Sequence, residues 1–383
     1  MPKFINTRAA ALLIFTFTIC GYGYAQTRDI KIYKSFPKSE NLKHSKVQIN
    51  EVLYPRSIHL IDDLVVIMDE KSEYAVHFYK LSDWSLVARY GRRGDGPAEV
   101  RTLKFYGQSV VENNETYLWF SDFSTFKLKK ISLSGMLKDV NTEPILSYKL
   151  PPELAMTYKD IYAISDTEFV GTVEGDVIAF SGDPEAGRFF HLNMRDKKIK
   201  WTANFPEQKL QEPKKKMGYL YSSKTTFNAA TNQIASGMRY YDRIDIINVK
   251  KDNVLTVVQE DNIEVQEVDL RDDFRLIPLS TKSYYGFGYS SEKLIYFSYS
   301  NVTSQQDIDF FGGLTTNYPN IQLQVFDWKG NPVYHAQLDK PSLGTFFVDE
   351  KTRKMYVIDG YPENEDDMIV SYTLPNLIYE KNK

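Results

Sequence analysis

The sequence predicts an all-β protein, specifically a six-bladed β-propeller of four-stranded antiparallel blades. From residue 30 onward, short runs rich in Val, Ile, Tyr, Phe and Thr alternate with Asp, Asn, Gly, Ser and Lys, a pattern typical of half-buried strands. Two series of these runs recur six times in a fixed order. No Pro-, Ser- or Gly-rich spacer divides the chain, which favours a single ring over two sandwiches.

The repeat defines the blades. The first series consists of apolar strands that tend to end in a turn-forming polar residue, at 65–69, 118–122, 169–173, 234–238, 294–298 and 355–359. The second series follows each after a hairpin-like gap, at 77–81, 128–132, 189–193, 244–248, 323–327 and 369–373. Further alternating strands give each unit an inner strand, two middle strands and an outer strand. Units of about 60 residues fit propeller blades, whereas a solenoid would use shorter repeats and need caps.

One spare segment is expected to close the ring. Residues 47–52 precede the first full unit, and the last unit lacks an outer strand after Leu374. We expect the spare segment to pair there, so that 26–383 form one propeller domain. Only one short helix is expected, of at most two or three turns around 151–160.

The N-terminus reads as a secretory signal peptide, residues 1–25. Lys3 and Arg8 supply positive charge, 9–20 is a short apolar run, and Gly-Tyr-Ala at 23–25 offers small residues for cleavage. The run is too short to span a bilayer, and we expect no transmembrane helix elsewhere. These features predict export to the periplasm or the cell surface.

Cys20 leaves a second form of export open. A lipoprotein signal ends at a cysteine that is then acylated, but such signals prefer a small residue where this chain has Ile19. Cleavage after Ala25 therefore fits better than a lipid anchor at Cys20. That cleavage also removes the chain's one cysteine, which excludes disulfides, a cysteine nucleophile and cysteine-ligated zinc in the mature protein.

Charge and composition exclude further classes. With 47 Lys and Arg against 50 Asp and Glu, the net charge is −3, and no stretch forms the basic stripe that nucleic-acid binding requires. Aromatic residues make up 14% of the chain, enough for a large core. We expect a monomer that binds no nucleic acid.

Residues 90–100 carry a family resemblance. The segment Tyr-Gly-Arg-Arg-Gly-Asp-Gly-Pro-Ala-Glu-Val resembles the Gly-x-x-Gly-x-Gly-Pro-Gly-Glu-aromatic signature of exported TolB-like six-bladed propeller proteins from Bacteroides-type bacteria. This chain departs from the signature at Ala98 and Val100, which weakens any inherited ligand contact more than it weakens the fold. The resemblance implies a periplasmic or surface propeller.

The same loop supplies four candidate binding residues. Arg92, Arg93, Asp95 and Glu99 place both signs of charge on a glycine-rich connection between blades. The loop is either an anion or glycan contact at a channel mouth, or an inter-blade turn whose charges pair with each other. A phosphate-cradling loop is not expected, because a strand rather than a helix follows Pro97.

Two further segments are candidate binding elements. Phe310 and Phe311 lie in an insertion at 300–320, and Arg239 and Tyr240 lie in a comparable hairpin of the fourth unit. Exposed aromatics with glycine can stack on sugars or dock a partner; alternatively, the insertion folds its own small core over the ring. Both segments connect the same pair of strands, so we expect them on one face.

No catalytic, metal or cofactor site is predicted. The five histidines are isolated, no Gly-x-Ser-x-Gly motif is present, and the acidic run at 363–367 lacks calcium-loop spacing. The sequence therefore favours a non-catalytic propeller that binds an envelope protein or glycan through loops on one face. The alternative is a lyase or hydrolase that acts on polysaccharide or peptide at the central channel mouth.

Overall fold

The computed structural model describes residues 28–49, 51–94, 99–155, 157–174, 186–202, 205, 221–248, 250–251, 253–262, 279–316, 318–362, 364 and 367–376. The expected signal peptide, Cys20 and Asp95 lie outside these residues. The first described segment contains three short strands, β1 (Arg28–Tyr33), β2 (Ser39–Leu42) and β3 (Ser45–Val47).

Three four-stranded antiparallel sheets follow, each with its strands in chain order. Blade 1 contains β4 (Pro55–Ile61), β5 (Leu64–Asp69), β6 (Tyr74–Lys80) and β7 (Leu86–Arg92). Blade 2 contains β8 (Leu103–Glu112), β9 (Glu115–Asp122), β10 (Lys127–Ser132), the helix α1 (Leu133–Met136) and β11 (Leu146–Lys149). After the helix α2 (Pro152–Ala155), blade 3 contains β12 (Tyr158–Ala163), β13 (Glu168–Val173), β14 (Phe189–Asn193) and β15 (Lys198–Thr202).

The second half repeats this arrangement. Blade 4 contains β16 (Ser223–Asn228), β17 (Gln233–Met238), β18 (Arg243–Asn248) and β19 (Asn253–Gln259). Blade 5 contains β20 (Lys282–Ser290), β21 (Leu294–Thr303), the helix α3 (Ser304–Phe311), β22 (Gln322–Asp327) and β23 (Pro332–Leu338). Blade 6 contains β24 (Leu343–Asp349), β25 (Lys354–Asp359) and β26 (Ile369–Thr373).

The blades form a closed ring held by apolar contacts between neighbours. The innermost strand β4 of blade 1 contacts both β8 of blade 2 and β24 of blade 6. Each of the six blade interfaces contains a cluster of buried apolar side chains, because each blade packs against one neighbouring blade on each of its two faces. The predicted all-β, six-bladed fold is confirmed, and the two sequence series coincide with the second and third strands of the blades.

The N-terminal segment runs along the outer edges of three blades. β1 pairs in parallel with β19 of blade 4, β2 pairs in parallel with β23 of blade 5, and β3 pairs antiparallel with β26 of blade 6. Blades 4 and 5 therefore have five strands, where four were expected. The strand that completes blade 6 lies at 45–47, just before the expected segment 47–52. Covering these edges removes unpaired backbone groups that would otherwise face solvent.

Helical structure also differs from expectation. Of the described residues at 151–155 and 157–160, Pro152–Ala155 form the single helical turn α2, within the expected limit of two or three turns, and β12 begins at Tyr158. The insertion at 300–320, expected to be a loop, contains the eight-residue helix α3. A capping box begins this helix: Thr303 accepts from the backbone N–H of Gln306, and the Gln306 side chain accepts from the backbone N–H of Thr303.

The innermost strands are irregular where they face the ring axis. Register shifts interrupt the pairing of β4, β8, β12, β20 and β24, while β16 pairs with β17 in unbroken register. In β8 the irregularity contains Gly107, which has φ +75° and whose Cα faces His59 so closely that a Cβ would lie 2.7 Å from Nδ1. Bulges bend a strand and redirect its side chains, and they are frequent beside functional sites.

Candidate functional site

A cavity of about 890 Å³ lies on the ring axis, lined by the innermost strands of all six blades. Its wall carries both charged and aromatic side chains, and its volume lies in the range of small-molecule sites. One end of the cavity lies at the face formed by the hairpins between second and third strands and by the linkers between blades, where Glu70, Arg93 and Arg101 line it. We call this the hairpin face, since antiparallel order places all of these connections at the same end of each sheet.

Four basic residues occupy equivalent positions around this cavity. Arg56, Lys104, Lys159 and Lys224 are each the second residue of the innermost strand, in blades 1, 2, 3 and 4 respectively, and all four line the cavity. The ring symmetry therefore brings together cations that are far apart in sequence. We define Lys104, Lys159, Asp160, Glu174 and Lys224 as the channel site.

Two of these residues are paired within the channel site. Lys159 Nζ lies 2.8 Å from Glu174 Oε2 and donates to Ser222 Oγ at 3.0 Å, and Ser222 in turn donates to Glu174 Oε1. Burial alone would raise the pKa of Glu174, but Lys159, Ser222 and Lys224 lower it below its usual value. Glu174 is therefore held as a carboxylate. The second carboxylate, Asp160, accepts a hydrogen bond from Thr225 Oγ1 at 2.6 Å.

The other two lysines contact aromatic rings instead. Lys104 Nζ lies 4.4 Å from the ring centroid of Phe123, and Lys224 Nζ lies 4.5 Å from that of Phe287. Neither lysine forms a hydrogen bond or an ion pair with any described residue. Partial burial lowers the pKa of both amines, and the neighbouring Lys159 lowers it further, although Asp160 and Glu174 act in the opposite direction.

Tyrosines of the cavity wall are engaged in structural hydrogen bonds. Tyr106 donates to the carbonyl of Lys159 at 2.9 Å, and Tyr162 contacts Thr225 Oγ1 at 3.0 Å and stacks on Phe227. Burial raises the pKa of both Tyr106 and Tyr162 well above the usual value. Both hydroxyls therefore stay protonated, which does not suit a general base.

The predicted hairpin residues of blade 4 lie between the channel site and α3. Arg239 is exposed and its guanidinium lies 5.2 Å from the ring centroid of Tyr240, whose own side chain is buried. Burial raises the pKa of Tyr240, and Glu174 and Asp307 raise it further. This hairpin is thus electrostatically coupled to the channel on one side and to the insertion helix on the other.

Phe310 and Phe311 belong to an aromatic cluster that joins blades 5 and 6. We define the aromatic cluster as Phe310, Phe311, Tyr318 and Tyr361. The ring centroid of Phe310 lies 4.5 Å from that of Tyr318 and 5.5 Å from that of Tyr361, and 5.2 Å from that of Phe311. The insertion thus forms a small core of its own, yet Phe311 and Tyr361 each leave about half of their surface exposed.

The described residues of the glycine-rich loop are held by structural contacts. Arg92 Nε lies 2.9 Å from Glu73 Oε1, at an exposed position. Arg93 donates to the carbonyls of Asp69 and Arg101, so it ties the end of β5 to the beginning of blade 2. The carboxylate of Glu99 packs over the Cα of Gly94. This arrangement resembles an inter-blade turn, one of the two interpretations of the loop in the sequence. Arg93 also lines the cavity.

The predicted site residues thus form two separate groups, and the channel site was not among them. Arg92, Arg93 and Glu99 lie in the linker between blades 1 and 2, while Arg239, Tyr240, Phe310 and Phe311 lie on blades 4 and 5. The channel-site lysines were overlooked because each is an isolated cation in its own strand. They can be recognised by their position in the repeat, because four successive repeats have a basic residue at the second position of the inner strand.

Within the described ranges, no three His, Cys, Asp or Glu side chains lie close enough together to hold a metal ion. In the same part of the chain, no helix has the length and apolar character needed to cross a membrane.

Comparison with known proteins agrees with the fold. The model of the TolB-like 6-blade propeller-like family matches residues 29–351. The chain is similar to a member of the DUF4221 family from Bacteroides vulgatus, with a TM-score of 0.58 and 10% identity over 88% of this chain and 98% of that one. It is also similar to a protein described as exported from Bacteroides fragilis, with a TM-score of 0.54 and 12% identity over 90% of this chain and 98% of that one. No curated protein matches the sequence.

Proposed function

Because the chain belongs to the TolB-like six-bladed propeller family, we propose that it is an exported binding protein that recognises an envelope protein or glycan through its hairpin face. The observation that carries this proposal is the exposed apolar surface around α3. Ile308, Phe311, Leu314 and Tyr361 each expose more than half of their surface, and α3 itself buries no side chain. Such patches on soluble domains are typical of interaction surfaces.

The aromatic cluster is a rigid surface, which suits recognition. The capping box fixes the first turn of α3, and Tyr318 donates to Asp307, which ties the returning chain to the helix. Stacking of Phe310 on Tyr318 restricts both rings. Side chains that are ordered before binding lose little entropy when a partner arrives.

Glu174 and the tyrosines at the channel mouth suit binding better than proton transfer. A lyase or hydrolase needs a group that can take or give a proton near neutral pH. Glu174 is held as an anion by Lys159, and the hydroxyls of Tyr106 and Tyr162 are engaged and difficult to ionise. A binding role requires neither kind of proton transfer.

Export is part of the same proposal. The residues at 1–25 have the composition of a signal peptide, and the similar protein from Bacteroides fragilis is described as exported. We place the mature chain in the periplasm or at the cell surface. Intact mass of the native protein tests this: cleavage gives a chain beginning at Gln26, and an anchor gives one beginning at an acylated Cys20.

The binding proposal is tested by capture on the immobilised mature chain. Cell-envelope extract and isolated envelope polysaccharide are applied separately to the wild type and to the F310S/F311S variant. We expect the double variant to lose at least about tenfold in apparent affinity for the partner, as for a central aromatic anchor. Val111 is a matched control, since its side chain is 67% exposed but lies at the end of β8 that is away from the hairpin face. V111S should bind like the wild type. Equal capture by F310S/F311S would refute a role for α3.

A further inference from the structure

The channel site carries more positive charge than its own pairs neutralise. Arg56 Nε lies 3.2 Å from Glu70 Oε1, and Lys159 is paired with Glu174. After these pairs, and among the residues that the structure describes, Lys104, Lys224 and Arg239 outnumber the remaining channel-site carboxylate, Asp160. The chain as a whole has a net charge of −3, so this local excess of cations runs against the overall balance.

The unpaired amines remain accessible to a ligand. Lys104 is exposed to the water of the channel mouth and Lys224 is half-buried, and both line the same cavity. Both stand at the second position of an innermost strand and line the same cavity, Lys104 in blade 2 and Lys224 in blade 4, on either side of Lys159 in blade 3. Holding ammonium groups close together costs free energy, and a bound anion would offset that cost.

The cavity also offers apolar surface next to these cations. Phe227, Phe287 and Tyr289 line it on the side of blades 4 and 5, and Phe287 is the ring beneath Lys224. A ligand with an acid group and a compact ring or aliphatic part would therefore use both kinds of surface. A volume of about 890 Å³ accommodates a molecule of one or two sugar rings in size.

We propose that the channel site binds a small organic anion, whose carboxylate or phosphate group lies between Lys104 and Lys224 and whose ring or aliphatic part packs on Phe287. This site is separate from the aromatic cluster, so its occupancy does not depend on recognition of an envelope partner by α3. It assigns a ligand class to the ring axis, where the proposed partner-binding function assigns none.

Three probes with the same sugar ring test the proposal. Glucuronate carries a carboxylate, glucose 6-phosphate carries a phosphate, and glucose carries neither. Binding to the mature chain, residues 26–383, is measured by calorimetry at low ionic strength, where charge interactions are least screened. We expect at least one of the two anions to bind and glucose to give no heat, and the stronger anion identifies the acid group. No binding by either anion, or equal binding by glucose, would overturn the proposal.

Charge variants test the assigned residues. K104M and K224M keep the apolar stem over Phe123 and Phe287 but remove the charge, so each should weaken anion binding about tenfold or more. K71M is the matched control, because Lys71 Nζ also lies over a ring, 4.6 Å from the centroid of Tyr54, but is exposed outside the cavity. K71M should bind like the wild type, and equal losses in all three variants would refute the assignment.

A variant that is expected to tighten anion binding separates an effect on the site from a loss of folding. E174Q removes a negative charge that acts on both Lys104 and Lys224, so it should tighten anion binding rather than weaken it. A misfolded variant cannot produce a gain in affinity. The F310S/F311S variant should retain wild-type anion binding, so failure of partner capture and failure of the anion site are distinguished.

Discussion

Lys224 lies across the boundary between two blades, with its Nζ 4.5 Å from the ring centroid of Phe287. The lysine belongs to β16 of blade 4 and the phenylalanine to β20 of blade 5. The contact places a half-buried cation at a blade interface, where an apolar side chain would cost less desolvation free energy. Residues retained at a cost to stability are typical of functional sites.

We therefore predict that K224M is more stable than the wild type at neutral pH. The pKa of Lys224 is lowered in the folded protein, so the unfolded chain binds the proton more tightly and protonation favours unfolding. Stability of the wild type should rise as the pH approaches the usual pKa of lysine, and the advantage of K224M should shrink. Urea unfolding at pH 7 and pH 10 measures both effects. K71M should show neither, and a less stable K224M at pH 7 would contradict the prediction.

Asp69 should be a major stabilising carboxylate. Its Oδ2 accepts from the backbone N–H groups of Leu53 and Tyr54, and its Oδ1 accepts from those of Lys71 and Ser72. It thus fastens the chain that leads into blade 1 to the hairpin of the same blade. We expect D69A to lose roughly 2–4 kcal/mol of unfolding free energy, since several charge-assisted hydrogen bonds are lost at once.

The contribution of Asp69 should also depend on pH. Burial alone would raise its pKa, but the four N–H groups lower it below the usual value. Its stabilisation is present above the pKa of the unfolded chain, about 3.9, and is lost as the pH falls through the lower folded pKa. The difference between wild type and D69A in urea should therefore narrow below about pH 4. D63N, at an exposed turn, serves as the control and should match the wild type throughout.

A buried ion pair holds blade 3 to blade 4. Arg188 donates to Asp245 Oδ2 at 2.8 Å, and Asp245 also accepts from Arg243 and Thr256. Among the described residues, the apolar cluster at this interface has six buried members, against ten to fifteen at the other interfaces. R188M should cost roughly 1.5–3 kcal/mol, because it removes one charge-assisted hydrogen bond from Asp245, which keeps its ion pair with Arg243.

Two variants check the Arg188 prediction. R188M/D245N should lose more stability than R188M, because it also leaves Arg243 without its carboxylate partner. R92M removes the exposed ion pair with Glu73 and should cost less than about 1 kcal/mol. Equal costs for R188M and R92M in thermal unfolding would show that the buried pair is not special.

His59 should make the fold sensitive to mild acid. Its Nε2 is buried without a hydrogen-bond partner among the described residues, and burial lowers the pKa of His59 to about 4. The unfolded chain, with a histidine pKa near 6.5, takes up a proton that the folded chain excludes, so stability falls between about pH 6.5 and pH 4. We expect this histidine to account for about 3 kcal/mol of that loss. H59L should flatten the pH profile of unfolding between these two pH values, and an unchanged profile would contradict the prediction.

The closing strand can be tested with a covalent link. Ser45 of β3 pairs directly with Ser371 of β26, at a separation that disulfides can span, and the chain has no cysteine after Cys20. Oxidised S45C/S371C should be about 2–4 kcal/mol more stable than its reduced form. S45C alone is the control. Failure of the pair to oxidise would contradict the register of β3 against β26.

Part of the site is visible in the sequence once the repeat phase is known. Arg56, Lys104, Lys159 and Lys224 all occupy the second position of an inner strand, so an alignment of the repeats places them in one column. Their pairing cannot be read in this way. Nothing local tells that Lys159 meets Glu174 while Lys224 meets the aromatic ring of the next blade.

The hairpin insertions show the same division. Phe310 and Phe311 stand out as exposed aromatics in a long connection, and Thr303 with Gln306 is a recognisable helix start. Their contact with Tyr361 depends on blade 6 lying beside blade 5, and residues fifty apart in the chain meet only there.

The sequence by itself determined the strands, their order and the number of blades, because alternation of apolar and polar residues is a local property and the repeat copies it six times. Only the tertiary structure decided which charges meet at the axis, which blades gain a fifth strand from β1 and β2, and how Arg188 reaches Asp245. Those contacts join segments tens to hundreds of residues apart, and their energies depend on distances and burial that exist only once the ring has closed.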